Sequence, residues 1–245
     1  MKYYSNYDDV PERLRHKFLK NKQEYNFDFA LTTYCQAKCR SCTRMDEDNP
    51  GQASPHLTLN HFDLDVFKNI VSTSKVIRDR NRYIQFCGEL GDPFMHPQIE
   101  DFIEVAMEYG GGVNINTNGG LRKPAFYEHL AKKFDTGPHD RRRLQIKWGI
   151  DGADHETNWK YREGVDWHRA MDNLTAWKTH SGEGEWHFLI FEWNWHQIFD
   201  AKKLADDIGC DIFFKFNSRG WGLISPENKI KANKMIQEIT GEILI

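Results

Sequence analysis

The sequence predicts an α/β fold in which six strand and helix units form a partial (β/α)6 TIM-like barrel, with a short N-terminal segment and a C-terminal tail. Strand-like and helix-like runs alternate along most of the chain, which is the pattern of parallel strands joined by helices. Polar motifs also follow successive strands, as expected when the carboxyl ends of parallel strands meet at one face. A chain of 245 residues can bury such a core as one domain.

The predicted strands are short apolar runs bounded by loop residues, and they are rich in aromatic and β-branched side chains. Runs of this length and composition are typical of strands that lie in the interior of a parallel sheet. The strands are predicted at residues 27–32, 83–87, 113–116, 144–150, 187–191 and 211–216.

Apolar residues at helical spacing follow the strands and predict the connecting helices. Asn60 is the expected N-cap of the first helix, and Pro124 opens the third. The clearest pattern starts at Trp167 and reaches Trp177 through positions i, i+3, i+4, i+7 and i+10. Gly209 is expected directly after the helix that follows the fifth strand, because glycine favours the left-handed backbone of a helix end.

The composition argues against several classes of protein. The net charge of −3 and the isoelectric point near 6.4 argue against nucleic-acid binding, because that function usually shows as a strongly basic domain. The basic run at 141–143 precedes the fourth strand and is interpreted as a solvated loop on the opposite face. No apolar run has the length of a signal-peptide core or a membrane span, so a cytoplasmic location is expected. The expected division is an N-terminal extension at 1–25, a core barrel at 26–216 and a C-terminal tail at 217–245.

Three closely spaced cysteines, Cys35, Cys39 and Cys42, follow the first predicted strand without an adjacent fourth. Thiolates are the usual ligands of iron–sulfur clusters, and a four-iron cluster held by three of them leaves one iron open to an external molecule. The alternative is a structural zinc site completed by His56 or His96, because zinc accepts mixed Cys and His ligands. Structural zinc sites usually take two cysteine pairs, and the sequence has no second pair.

The other polar motifs lie where the predicted strands end, so they are expected to share one rim of the barrel. Functional groups that meet at this rim indicate an enzyme. The motifs are residues 87–93 after the second strand, 116–119 after the third, 149–152 after the fourth and 192–194 after the fifth.

The spacing of Cys35, Cys39 and Cys42 resembles the cluster loop of the radical S-adenosylmethionine (SAM) superfamily. The resemblance implies a [4Fe-4S] cluster whose open iron binds SAM. It also implies an enzyme that receives an electron from a flavodoxin or ferredoxin type of reductant and cleaves SAM to a 5′-deoxyadenosyl radical, which takes a hydrogen atom from the substrate. The substrate is unidentified: a peptide, a sugar or a small metabolite. Use of the cofactor without radical release is a third possibility.

Two motifs extend this resemblance. Gly88 and Glu89 are similar to the family's glycine-rich segment after the second strand, which binds the methionine ammonium of SAM. Glycine lets the backbone approach closely, and a carboxylate accepts a strong hydrogen bond from an amine. Asn116 and Asn118 resemble the polar ending of the third strand in family members related to peptide-maturing and molybdopterin-synthesis enzymes. Both motifs are also compatible with ordinary turns.

Asp151 and Arg162 lie in segments that resemble the core of the subgroup whose members carry a cysteine-rich SPASM or twitch extension. In that subgroup a serine and a later arginine help to hold the ribose and the carboxylate of SAM. Gly149 occupies the serine position here. The resemblance therefore assigns the ribose contact to Asp151 or Asn118, and it makes Arg162 the candidate for the carboxylate.

Other positions carry weaker indications. Ser41 stands where the family commonly has an aromatic residue that contacts adenine, and no cysteine follows Cys210, so auxiliary clusters are not expected in this sequence. Cys87 is a candidate hydrogen-atom donor to a substrate radical, although a lone cysteine is more often a small buried apolar residue. Trp193 and Trp195 follow the fifth strand and are candidates for a substrate groove.

Overall fold

One parallel sheet forms the centre of the fold, and its strands lie side by side in the order of the sequence. The computed structural model describes residues 27–46, 48–49, 51–75, 77, 83–134, 144–180 and 183–241. The strands are β1 (Phe27–Phe29), β2 (Tyr83–Phe86), β3 (Gly112–Thr117), β4 (Leu144–Gly149), β5 (Gly184–Ile190) and β6 (Asp211–Phe216). Among these strands β1 and β6 do not pair, so the sheet is open and the predicted partial barrel is confirmed.

Helices connect the consecutive strands, as the alternating pattern predicts. Two of them lie between β4 and β5, and one follows β6. The helices are α1 (Leu64–Thr73), α2 (Ile99–Tyr109), α3 (Pro124–Lys133), α4 (His155–Tyr161), α5 (Trp167–His180), α6 (Ile198–Ile208) and α7 (Pro226–Thr240).

The two faces of the sheet differ, because successive side chains of a strand point to opposite sides. On β4, Ile146 and Trp148 are buried in the hydrophobic core, where the ring of Trp148 packs on Tyr127 of α3 at a centroid distance of 5.0 Å. Lys147 and Gly149 alternate with them and are less buried. The same alternation runs along β5. The core therefore lies between the sheet and the helices, and the other face lines the inside of the barrel.

The first strand is shorter than predicted, because the chain leaves the sheet after Phe29. Thr32 forms an isolated antiparallel bridge with His61, and the backbone N–H of Thr33 donates to the carbonyl of Asn60 at 3.0 Å. The backbone that follows β1 is thus used to fasten the segment that precedes α1. This pairing places the cysteine loop directly beyond the end of the strand.

Asn60 is not the N-cap of α1, so that prediction was wrong. Asp63 takes this role, and its carboxylate accepts a hydrogen bond from the backbone N–H of Val66 at 2.9 Å. The helix α4 was not predicted, since its seven residues are too few for a clear helical period. Asp154 caps it and accepts from the N–H of Thr157 at 2.7 Å.

One prediction for the C-terminal elements is confirmed. Gly209 ends α6 with a φ of 74°, in the left-handed region expected there. Ala232 and Ile236 of α7 are buried in the same hydrophobic core as the sheet. The predicted extension at 1–25 and the basic run at 141–143 lie outside the described residues, and the division into domains stays a prediction. None of the helices in the described ranges is long and apolar enough to span a membrane.

Candidate cofactor site

A cavity of about 540 Å³ opens at the carboxyl ends of the strands. The cysteine loop after β1 and the ends of β2 to β6 supply its walls, as expected for the functional rim of a β/α barrel. All but one of the residues predicted as cluster ligands, cofactor contacts or hydrogen-atom donor line it: Cys35, Cys39, Cys42, Cys87, Gly88, Glu89, Asn116, Asn118 and Arg162. The exception is Asp151, which lies behind the wall.

The cysteine loop is held by backbone hydrogen bonds within itself and to the segment that follows α4. The N–H of Cys42 donates to the carbonyl of Cys39 at 3.0 Å, and the N–H of Lys38 donates to the carbonyl of Glu163 at 2.8 Å. Burial raises the pKa of the Cys35 thiol to about 12, and it also raises the pKa of Cys39. The loop thus presents three thiols to one cavity, in an environment where thiolates need a cationic partner or a metal.

A buried guanidinium stands beside this loop. Arg44 is 5% exposed, and its Nε and Nη2 donate to the carbonyl of Thr33 at 3.2 and 3.0 Å. Within the described ranges no carboxylate lies at ion-pair distance from Arg44. The positive charge of Arg44 lowers the pKa of Cys35 and so opposes the effect of burial. A buried cation without an anionic partner is costly, so the position suits a negatively charged group next to the thiols.

The loop after β2 packs against the backbone that leads into the cysteines. A Cβ on Gly91 would lie 2.6 Å from the carbonyl oxygen of Tyr34 and would also overlap the carbonyl of Thr32. The N–H of Asp92 donates to the same Tyr34 carbonyl at 3.0 Å. Only glycine permits this approach, so the packing of the two loops requires glycine at position 91, which a simple turn would not.

Asp92 joins the ends of β2 and β3, although sequence reasoning gave it no specific part in the site. Its fully buried carboxylate accepts from the hydroxyl of Thr117 at 2.9 Å, the N–H of Asn118 at 2.9 Å and the N–H of Phe94 at 3.0 Å. Burial raises the pKa of Asp92, and these hydrogen bonds oppose that change. The only sequence signal was its place in a Gly-Asp-Pro turn.

Asn118 connects this carboxylate to the cysteine loop. Its Oδ1 accepts from Nε2 of Gln36 at 2.7 Å, and its Nδ2 lies 3.3 Å from Oε1 of Gln36 and 3.6 Å from Sγ of Cys35. The side-chain amides of Asn118 and Gln36 therefore form a reciprocal pair next to one thiol. Gln36 was missed by the sequence analysis, because nothing in the sequence indicates a contact with a residue 82 positions away.

Arg162 in the cavity wall forms an ion pair with the buried Asp151 behind it. Nε of Arg162 lies 2.6 Å from Oδ2 of Asp151, whose other oxygen accepts from the N–H of Leu189 at 2.7 Å. Although burial opposes the charge, the Asp151 carboxylate raises the pKa of Arg162 above its ordinary value. Asp151 is 0% exposed, so its position does not support the predicted ribose contact. It holds the guanidinium that does line the cavity.

Gly149 makes room for this guanidinium. A Cβ at Gly149 would lie 2.6 Å from Nη2 and 3.1 Å from Cζ of Arg162. Serine, which the resembled family has at this position, would therefore collide with the arginine as it is placed here. The absence of a side chain at Gly149 therefore leaves the space that the guanidinium of Arg162 occupies.

The segment after β6 contacts the cysteine loop at the unusual Ser41. The hydroxyl of Ser41 donates to the carbonyl of Arg219 at 3.0 Å, and the guanidinium of Arg40 lies 5.1 Å from the ring centre of Trp221. The ring of Trp193 packs at a tilt against that of Trp221, with a centroid distance of 4.6 Å. Neither Trp193 nor Trp195 lines the cavity, so the structure does not support the predicted groove there. Cys87 lines the cavity and is half-buried, and its role as a hydrogen-atom donor stays a prediction.

The histidines considered for a zinc site are placed elsewhere. His96 is buried, with Nε2 at 3.0 Å from the carbonyl of Phe62 and Nδ1 accepting from the N–H of Gln98 at 3.1 Å. His56 is exposed and does not line the cavity. Among the described residues, no three His, Cys, Asp or Glu side chains are close enough to hold a single metal ion. A four-iron cluster differs from one ion, since each thiolate binds a different iron.

No family model matches the sequence, and no curated protein does so either. Solved structures match the fold at low identity. Native anSMEcpe with bound AdoMet superposes with a TM-score of 0.64 at 13% identity, over 87% of this chain and 59% of that one. Streptococcus suis SuiB bound to S-adenosylmethionine gives 0.63 at 15% identity, over 98% and 52% of the two chains.

Methylornithine synthase (PylB) gives a TM-score of 0.56 at 13% identity, over 96% of this chain and 74% of that one. The chain thus spans little more than half the length of anSMEcpe and SuiB. These structures share the six-unit partial barrel rather than a recognisable sequence. The chain has the fold of the radical SAM core, the superfamily that its cysteine motif resembles.

Proposed function

We propose that this chain is a radical SAM enzyme in which Cys35, Cys39 and Cys42 hold a [4Fe-4S] cluster and the adjoining cavity holds SAM. One observation carries the proposal: three cysteines of a single loop line the same cavity as the polar ends of β2, β3 and β4, in a radical SAM fold. When both are bound, the cluster and SAM supply a 5′-deoxyadenosyl radical that takes a hydrogen atom from the substrate.

The residues at the rim have separate parts in this proposal. Gly88 keeps the backbone close to the end of β3, where a Cβ would lie 3.2 Å from the carbonyl of Asn116, and Glu89 accepts from the methionine ammonium. Arg162, held by Asp151, offers a fixed cation to the carboxylate of SAM. Asn116 lines the pocket between these two charged ends.

The charges around the loop support an anionic cluster. Three thiolates and inorganic sulfide give a cluster bound by this motif a negative charge, and Arg44 places a buried guanidinium beside it. The guanidinium of Arg44 offsets part of that negative charge. Both of its hydrogen bonds go to the carbonyl of Thr33, so it does not compete with iron for the sulfur atoms. An external reductant of flavodoxin or ferredoxin type supplies the electron.

The substrate remains one of three classes: a peptide, a sugar or a small metabolite. The peptide class has some support, since one SuiB structure contains its precursor peptide SuiA and one anSMEcpe structure contains a peptide. A zinc-binding module without turnover is the alternative. It needs about four ligands around one ion, whereas both ring nitrogens of His96 are already engaged.

The test is anaerobic reconstitution with ferrous iron and sulfide, followed by reduction in the presence of SAM. We expect the brown colour of a cluster, about four irons per chain and formation of 5′-deoxyadenosine. Cys39→Ala should abolish all three, whereas Cys210→Ala should not, because Cys210 lies outside the cavity.

Three results would contradict the proposal. Protein that stays colourless lacks the cluster, and stoichiometric zinc in anaerobically purified protein favours the alternative. A cluster without deoxyadenosine would mean that the cofactor is used without radical release.

A further inference from the structure

We propose that the inside face of the barrel between β4 and β6 binds an oxyanion group of the substrate, a carboxylate or a phosphate, through Lys147 and Lys215. The inference rests on the proposed function, because it concerns the molecule that reacts beside the cofactor. It narrows the substrate to a polar, negatively charged compound or peptide group.

Strand geometry places both lysines on the cavity. Side chains alternate along β4 and β6, and Lys147 and Lys215 both point away from the hydrophobic core and line the cavity. In the register of the sheet, Lys147 lies opposite Glu185 of β5 and Lys215 lies opposite Leu189 of β5. Leu189 lies four residues beyond Glu185, so the lysines are offset by about 13 Å along the strands as well as by about 10 Å across them, roughly 16 Å between their Cα atoms. Two lysine side chains extended towards each other can span that separation with one oxyanion between them.

Neither lysine has a hydrogen-bond or ion-pair partner in the part of the chain that the structure describes. Lysines on the outer helices differ: Lys202 pairs with Asp206, and Lys231 pairs with Glu227. Lys147 is partly buried in the cavity wall and Lys215 is exposed at its edge, and an anion is the group that interacts favourably with both ammonium groups. The two lumenal lysines are therefore placed to receive a charge from outside the protein.

Arg44, Asp92, Arg162 and Arg219 line the cavity at the loops beyond the strands, and the other charged groups divide the part between the strands into two sides. Asp28 and Glu89 lie on the side of β1 and β2. Burial and the negative charge of Glu89 raise the pKa of Asp28, whereas the positive charge of Lys147 lowers it. On the other side, His187 lines the cavity next to the lysines, and its Nε2 lies 3.0 Å from Glu185. The glutamate thus has a partner of its own. An anion is drawn to the side of β4 to β6 and repelled from the opposite wall.

Two unpaired acceptors on β3 lie next to this basic side. Oδ1 of Asn114 and Oδ1 of Asn116 are buried without a hydrogen-bond partner among the described residues. Both lie on the face of β3 that continues the cavity face of β4, since Asn116 is in register with Lys147, and of the two Asn116 lines the cavity itself. Buried unpaired acceptors call for a donor from a ligand or from water. A substrate with hydroxyl or amide donors beside its oxyanion would pair with both the lysine ammonium groups and the asparagine oxygens.

The arrangement gives the basic side a positioning role. The predicted cofactor contacts belong to the loop after β1 and to the ends of β2 and β3, together with Arg162, so the lysines lie on the side of the cavity towards β6. An oxyanion held by two separate ammonium groups has a defined orientation, which hydrogen-atom transfer requires. Apolar or purely cationic molecules lack the group that these lysines recognise.

The test measures anion binding by isothermal titration calorimetry at low ionic strength, with the full chain in its reconstituted form. The probes are inorganic phosphate and succinate, and methylammonium is the cationic control. We expect saturable binding of at least one of the two anions, and the tighter of them identifies phosphate or carboxylate as the group. A Lys147→Gln/Lys215→Gln variant should bind it at least tenfold more weakly.

Two matched variants complete the design. Lys147→Arg/Lys215→Arg keeps the charges and should bind within a few-fold of the wild type. Lys202→Gln/Lys231→Gln removes two paired surface charges and should bind like the wild type. Equal affinities in all four proteins, or no saturable binding to the wild type, would overturn the inference.

The outcome can be separated from that of the proposed function. Deoxyadenosine formation without lysine-dependent anion binding would overturn this inference and leave the proposed enzyme intact. Lysine-dependent binding by a protein that never forms deoxyadenosine would support the anion site and contradict the proposed chemistry.

Discussion

The side-chain amide of Asn118 lies with Nδ2 3.6 Å from Sγ of Cys35. Asp92 fixes the backbone of Asn118 from one side, and Gln36 pairs with its amide from the other. The end of β3 is thereby tied to the first cysteine of the loop. This contact gives Asn118 a position next to a proposed cluster ligand, in addition to its place on the cavity wall.

Asn118→Ala is expected to lower the reduction potential of the reconstituted cluster. A hydrogen bond to sulfur favours the reduced, more negative state. A bond worth about 1 kcal/mol corresponds to roughly 40 mV for one electron. Titration monitored by electron paramagnetic resonance measures the potential, with Asn69→Ala on the exposed side of α1 as the control. An unchanged potential in Asn118→Ala would contradict the role.

Asp151→Asn is expected to destabilise the protein by about 3 kcal/mol or more, because it leaves the buried guanidinium of Arg162 without its counter-charge. Urea unfolding at neutral pH measures the change. The double variant Asp151→Asn/Arg162→Gln removes both charges and should recover part of the loss. If the two substitutions simply add, the pair is not coupled as the geometry indicates.

Gly149→Ser is expected to displace the guanidinium of Arg162, because a Cβ would lie 2.6 Å from its Nη2. Overpacking of this kind costs about 1–3 kcal/mol. Equilibrium dialysis should show weaker SAM binding, and urea unfolding should show the lower stability. In an Arg162→Ala background no guanidinium lies in the way of the serine, so Gly149→Ser should lower the unfolding free energy by less. An equal cost in both backgrounds would disprove the packing explanation.

The buried carboxylate of Asp92 predicts a pH dependence of stability. Its pKa is raised in the folded state, so the folded protein retains the proton to a higher pH than the unfolded chain does. The unfolding free energy should therefore fall as the pH rises from the ordinary value of about 3.9 towards the folded pKa. Urea unfolding from pH 4 to pH 7 measures this dependence. The same measurement on Asp92→Asn, which has no titrating group at this position, isolates the contribution of Asp92. A steeper fall in the variant than in the wild type would contradict the direction.

Local patterns in the sequence were sufficient for most of the fold. Alternating runs identified the strands, and β6 has the predicted bounds, Asp211–Phe216. The cysteine spacing and the positions of Gly88 and Glu89 located the rim of the cavity. The errors lay where local signals are weak: the start of α1 at Asp63 rather than Asn60, and the seven-residue helix α4.

The sequence by itself determined the order of the strands and helices, the open barrel and the three cysteines beyond β1, because hydrophobic period and residue spacing are local properties of a chain. Only the tertiary structure decided that Asp92 holds Asn118 and that Gly149 admits Arg162. It also set Lys147 and Lys215 on one side of the lumen. These relationships join residues from different strands and loops, and they depend on register and packing, which no local pattern encodes.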